Sequence, residues 1–122
     1  MTASFTRSVY VSASPAPIIV FCTCPDEDTA ETLASELVTA QLAACVNILP
    51  GIRSIYRWQG EVETAIETLM LIKTTRLCYE ALEACIKGKH PYELPEIVWV
   101  GVGGGLDGYL TWLSQCTNEV SS

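Results

Sequence analysis

The sequence predicts an α+β domain in which helices cover one face of an antiparallel sheet, in the order β-α-β-β-α-β with an extra C-terminal helix. Three observations carry that expectation. Residues 44–75 read as one very long β-hairpin, apolar stripes at helical spacing follow residues 25 and 75, and continuous apolar runs near residues 18 and 97 supply two further strands.

In chain order, residues 1–16 read as a disordered N-terminal tail, residues 17–118 as the single folded domain and residues 119–122 as a C-terminal tail. Ile18-Ile19-Val20-Phe21-Cys22-Thr23-Cys24 is a continuous apolar run that suits a central strand. Pro25 and Asp26, with Glu27 and Asp28, open a helix, because proline is tolerated early and carboxylates favour the positive end of the helix dipole. Ala30, Leu33, Ala34, Leu37, Val38 and Leu42 continue it as one stripe. After the hairpin, Thr75 is expected to cap a helix with the stripe Cys78, Ala81, Leu82, Cys85 and Ile86, ending near Gly88. Two prolines make residues 90–95 an ordered loop, and residues 96–102 form the last strand. Asp107 is expected to cap the final helix, which places Tyr109, Trp112, Leu113 and Cys116 on one face. This order matches the ferredoxin-like βαββαβ sandwich.

The hairpin has a consequence of its own. At about 3.4 Å per residue each arm spans roughly 50 Å, well beyond an ordinary strand, so it overhangs the domain. Pro50-Gly51 marks a bulge or bend within the first arm, and Gln59-Gly60 makes the turn. That turn sets Ile52, Tyr56 and Trp58 on one face of the distal ribbon and Ile55, Val62 and Ile66 on the other. A ribbon apolar on both faces calls for a partner subunit, which makes Ile52, Tyr56, Trp58 and Val62 the candidate interface.

With seven basic and fourteen acidic residues the chain carries a formal charge of −7, which argues against a nucleic-acid backbone as its main partner. Neither a secretory signal nor a membrane span is read in the sequence. The six cysteines sit inside apolar segments, in the manner of buried free thiols in a reducing cytoplasm, and their spacings fit no structural zinc motif.

Several motifs in fixed order then carry a resemblance: 42–47 (Leu-Ala-Ala-Cys-Val-Asn), Pro50-Gly51, 54–58 (Ser-Ile-Tyr-Arg-Trp), Gly60-Glu61, Lys73-Thr74-Thr75, 90–96 (His-Pro-Tyr-Glu-Leu-Pro-Glu) and 109–113 (Tyr-Leu-Thr-Trp-Leu). Together they closely resemble the CutA family, the divalent-cation tolerance proteins, from about Ile18 to Cys116. The resemblance implies a homotrimer with interlocking hairpins, similar to the PII signalling proteins, that binds copper and other divalent metals and has no agreed catalytic reaction. It also implies clefts between subunits that accept small molecules, for which Cys45, Lys73, Tyr92 and Glu93 are the candidate lining. The family's His pair before Pro-Tyr is Lys89-His90 here, and Gly101 stands where a proline is usual.

Four residues are candidate metal ligands. Cys22 and Cys24 project to the same face of a strand, where they are either small core residues or soft ligands suited to Cu(I). The resemblance adds that the position of Cys22 is among those proposed for copper. His90, the single histidine, sits on a loop near Glu93 and Glu96, and with Glu96 it suits Cu(II) or Zn(II). Lys73 lies among apolar neighbours and needs a partner, for which Glu93, Glu96 or an anionic ligand is expected, unless it reaches out to water. The resulting expectation is a cytoplasmic homotrimer linked to divalent-metal tolerance, binding copper without catalysis and without an obligatory cofactor. The alternative is a PII-like sensor that binds a small effector between subunits.

Overall fold

β1 (Pro17–Cys24) is the strand on which the sheet is laid out. It pairs antiparallel with β3 (Glu61–Thr75) on one side and with β4 (Ile97–Gly101) on the other, and β2 (Cys45–Trp58) adds to the far edge of β3, giving the order β2-β3-β1-β4. The computed structural model describes residues 15–117, so the expected tails fall outside the described residues except at Pro15 and Ala16.

The sheet has one covered face because strand residues alternate. Ile18, Val20, Cys22 and Cys24 of β1 lie beside Met70 and Ile72 of β3, and all are buried. Helix α1 (Glu27–Thr39) lays Ala30, Leu33 and Leu37 on them, and helix α2 (Tyr79–Lys89) adds Leu82 and Ile86. Full burial of side chains of this size stabilises by about 1.5 to 3 kcal/mol each, which is what ties the helices to the sheet. The opposite face carries Ile19, Phe21, Leu69, Leu71, Val98 and Val100, half-buried or exposed.

Local chemistry sets the helix ends. Asp26 caps α1, its carboxylate accepting the Thr29 N–H at 2.8 Å. Two expected caps take another form. Thr75 precedes a short 3₁₀ turn (Arg76–Cys78), and its hydroxyl turns to the Cys78 sulfur at 3.7 Å, not to a backbone N–H. Asp107 is already the first residue of α3 (Asp107–Cys116); the extended Leu106 is the cap, so Asp107 contributes only its charge at the positive end of the dipole.

The hairpin forms as expected, with a turn in which Gln59 (φ 52°) and Gly60 (φ 83°) both adopt the left-handed region. Between the pairs Leu49–Leu69 and Ile52–Glu67, β2 advances by one residue more than β3. That bulge sits at Pro50-Gly51. Its effect is on side-chain direction: odd-numbered residues of β2 share the uncovered face before it, and Ile52, Ser54, Tyr56 and Trp58 share that face after it. On the other side of the ribbon Ile55, Val62 and Ile66 are 69, 67 and 61 % exposed, as the two-faced reading required.

Gly51 makes the bulge possible, since its φ of 76° strains any side chain even though a Cβ there meets nothing within 4 Å. Gly51→Val is therefore expected to cost about 1 to 2 kcal/mol, read as a lower urea midpoint. Gly103→Val, at an open position outside that region of φ, is expected to leave the midpoint within about 0.5 kcal/mol of wild type. Equal losses in the two variants would overturn the account of the bulge.

Candidate metal centre and adjoining cleft

Cys22 and Cys24 reach the core together because they are two residues apart on the same strand. Beyond Cys22, β4 no longer pairs with β1, and the Thr23 carbonyl takes a partner from elsewhere: His90 Nε2, at 2.8 Å. The His90 ring is held at its other end too, Nδ1 accepting the Tyr92 N–H at 3.1 Å. An Nδ1 that accepts must be unprotonated, so Nε2 carries the proton and donates it to Thr23. His90 is only 8 % exposed. The loop histidine of the sequence reading is thus a buried residue pinned against the end of β1.

This brings three candidate ligands together. One ligand atom from each of Cys22, Cys24 and His90 lies within 4.8 Å of the others, and all three residues are buried. Two thiols and an imidazole form a donor set that fits a metal ion of soft or borderline character. Glu96, the fourth candidate, is exposed and stands outside the group, lining the neighbouring cleft. The thiols are unequal. The Cys24 sulfur beside it, burial, and the negative charges of Glu96 and Glu67 push the Cys22 thiol up, whereas the hydrogen bond from Cys22 holds Cys24 below the ordinary thiol value. All six cysteines are free.

The cleft lies beyond this group, between the distal ribbon and the 91–96 loop, with a volume of about 780 Å³. Tyr56, Trp58 and Tyr92 line it together with Glu67, Glu93 and Glu96. Glu67 was not singled out by its sequence position among exposed ribbon residues, yet it is 8 % exposed and accepts the Tyr92 phenol at 2.6 Å. The loop covers it. Burial and the Glu67 carboxylate together raise the Tyr92 phenol above its ordinary value.

Cys45 and Lys73 stand elsewhere. They face each other across β2 and β3, and Lys73 donates to Asn47 Oδ1, so its partner is neither of the expected carboxylates. Along β3, Lys73 is six residues from Glu67, about 20 Å at strand rise. Within one chain Cys45 and Lys73 therefore do not share a cleft with Tyr92 and Glu93.

A βαββαβ domain with one sheet face uncovered and a buried thiol–imidazole group defines a small ferredoxin-like protein with a candidate soft-metal centre. Comparison with known proteins makes the class specific. Residues 18–116 match the family model of the CutA1 divalent ion tolerance protein. A relative from Thermus thermophilus, called divalent-cation tolerance protein CutA, is 48 % identical over 99 residues, which are 81 % of this chain and 96 % of that protein. The crystal structure of CutA1 from Oryza sativa superposes with a TM-score of 0.83 at 40 % identity, covering 88 % of this chain and 98 % of that one. A structure from Archaeoglobus fulgidus, described as a periplasmic divalent cation tolerance protein CutA, has a TM-score of 0.80 at 33 % identity, covering 82 % of this chain and 97 % of that one. The chain belongs to the CutA family of divalent-ion tolerance proteins. No helix among the described residues is long and apolar enough to cross a membrane.

The raised Tyr92 phenol gives a pH test. An unfolded tyrosine ionises near pH 10, so a folded value above that stabilises fully below about pH 10 and the contribution is lost as pH climbs through the folded value. Tyr79, which burial pushes up to about 12, is the same in wild type and Tyr92→Phe and cancels in the comparison. Urea midpoints taken between about pH 9 and 12 are expected to fall more steeply for wild type than for Tyr92→Phe. Parallel slopes would mean that the Glu67 hydrogen bond does not hold the phenol protonated.

Proposed function

We propose that this chain is a homotrimeric, non-catalytic protein of metal tolerance that binds copper, and more weakly other metal ions, at Cys22, Cys24 and His90. The observation that carries the reading is the convergence of two strand thiols and a loop imidazole within 4.8 Å of one another. Family membership supports the tolerance role. Glu96, at the mouth of the cleft, serves at most as an outer carboxylate for an ion passing towards the thiols. Thiolate ligands must be reduced and deprotonated to bind, so a reducing compartment, the cytoplasm, suits the site.

Assembly follows from the ribbon. Ile55, Val62 and Ile66 on one side and Tyr56 and Trp58 on the other are too exposed for a lone chain, and a neighbouring subunit would cover them. Ile52, Tyr56, Trp58 and Val62 then form the interface. In a trimer the Cys45 and Lys73 of one subunit would approach the Tyr92 and Glu93 of the next, completing a cleft that one chain leaves in two parts.

Two measurements test these readings. Anaerobic titration with copper, followed by calorimetry and by metal analysis after desalting, is expected to give one ion per chain in wild type and none retained in Cys22→Ser/His90→Ala. Unchanged retention in that variant would remove the metal from these residues and favour a small effector in the cleft. Sedimentation is expected to find a trimer at micromolar concentration that Trp58→Ala weakens by about 2 to 4 kcal/mol per interface. A monomeric wild type would refute the assembly.

A further inference from the structure

We infer that the centre selects by oxidation state: its preferred occupant is a monovalent d¹⁰ ion, Cu(I) or its analogue Ag(I), held between Cys22 and Cys24, with His90 as a reserve ligand. This rests on the proposed metal site and specifies what enters it. The three donors are not equally available. His90 uses both ring nitrogens, Nε2 on the Thr23 carbonyl and Nδ1 on the Tyr92 N–H. To coordinate through either nitrogen, the ring must surrender a buried hydrogen bond and leave a backbone group without its partner. The thiols are committed mainly to each other, through the hydrogen bond between Cys22 and Cys24, and the one hydrogen bond from Cys22 to backbone is a long 3.8 Å contact with Thr23 O. An ion seated between the sulfurs therefore leaves no strong backbone partner stranded.

Coordination number then decides. Zn(II) and Cu(II) favour four or more ligands drawn from imidazole, carboxylate and thiolate, whereas soft Cu(I) is satisfied by two or three sulfur-rich donors. Here the buried group offers three donors, and no carboxylate belongs to it. A divalent ion would have to draw in Glu96 from the exposed side of the loop and break the hydrogen bond on whichever His90 nitrogen it took. A monovalent ion needs neither change. Both sulfurs stand on a strand held by β3 at Cys22–Met70 and Cys24–Thr68, so the pair is already positioned. Binding displaces the thiol protons to solvent and changes no oxidation state.

Cys24 is the residue on which the selection turns. The family resemblance carries Cys22 as a copper position and does not carry Cys24. With Cys22 and His90 alone, the group would hold one sulfur and one nitrogen, a set without preference for a monovalent ion.

The test uses the full-length protein under anaerobic conditions with a thiol-free reductant. Cu(I) is offered as its bicinchoninate complex, Ag(I) serves as a redox-inert probe, and Zn(II) is titrated separately. Wild type is expected to withdraw one Cu(I) per chain and to bind Zn(II) at least about a hundredfold more weakly. Cys24→Ala is expected to lose more than about a hundredfold in Cu(I) affinity, beyond the 10 to 100-fold typical of outer-shell partners, and His90→Gln less than about tenfold. Copper K-edge absorption on loaded wild type reads the donors without any variant, and a sulfur-dominated two- or three-coordinate shell is expected. Zn(II) binding as tightly as Cu(I), a His90→Gln loss equal to that of Cys24→Ala, or a nitrogen and oxygen shell would each overturn the inference while leaving metal binding intact. If neither ion binds wild type, the proposed metal function falls with it.

Discussion

The alternation of side chains along β1 is the constraint from which the rest follows. Because the strand is paired with β3 along its whole length and with β4 as far as Cys22, its residues cannot rotate, and every second one is committed to the core. Ile18 and Val20 use that commitment for packing under α1 and α2. The same commitment brings Cys22 and Cys24 side by side with no special loop or turn. A thiol pair built this way has little entropy left to lose when it binds something.

His90 joins that strand to the cleft. Its ring closes the unpaired Thr23 carbonyl on one side and fixes the Tyr92 backbone on the other, and Tyr92 in turn holds Glu67. The two prolines at 91 and 95 stiffen the connection. Centre and cleft are therefore neighbours through covalent backbone and three hydrogen bonds, with no intervening solvent-filled gap required to relate them.

Much of this was legible in the sequence, and the parts that were not have a common cause. Periodicity gave the strands, the covered face, the ribbon's two apolar sides and the pairing of Cys22 with Cys24, since all of these depend on neighbours a few residues apart. The location of the bulge was readable from Pro50-Gly51, but its effect, reversing which residues of β2 face outward, needed the register with β3. Glu67 drew no notice because its cover comes from residue 92, and Lys73 looked short of a partner because Asn47 belongs to the other arm. The burial of His90 was equally invisible. Each miss is a contact between residues far apart in the chain. Asp107 is the exception: there the local signal was real, and the helix began one residue sooner than a capping aspartate requires.

The depth of the three donors has a kinetic meaning. With Cys22 and Cys24 fully excluded from solvent and His90 nearly so, an ion held among them would exchange only through local opening, as of the segment that pins His90 against β1. Departure would then be timed by local opening of that segment, whose free energy is a property of the fold, and not by the strength of the metal–ligand bonds alone. Such a centre would fill and empty on the clock of its own breathing. A metal held there would be kept as in a vault, slow in both directions, where an exposed cluster of the same ligands would act as a fast buffer.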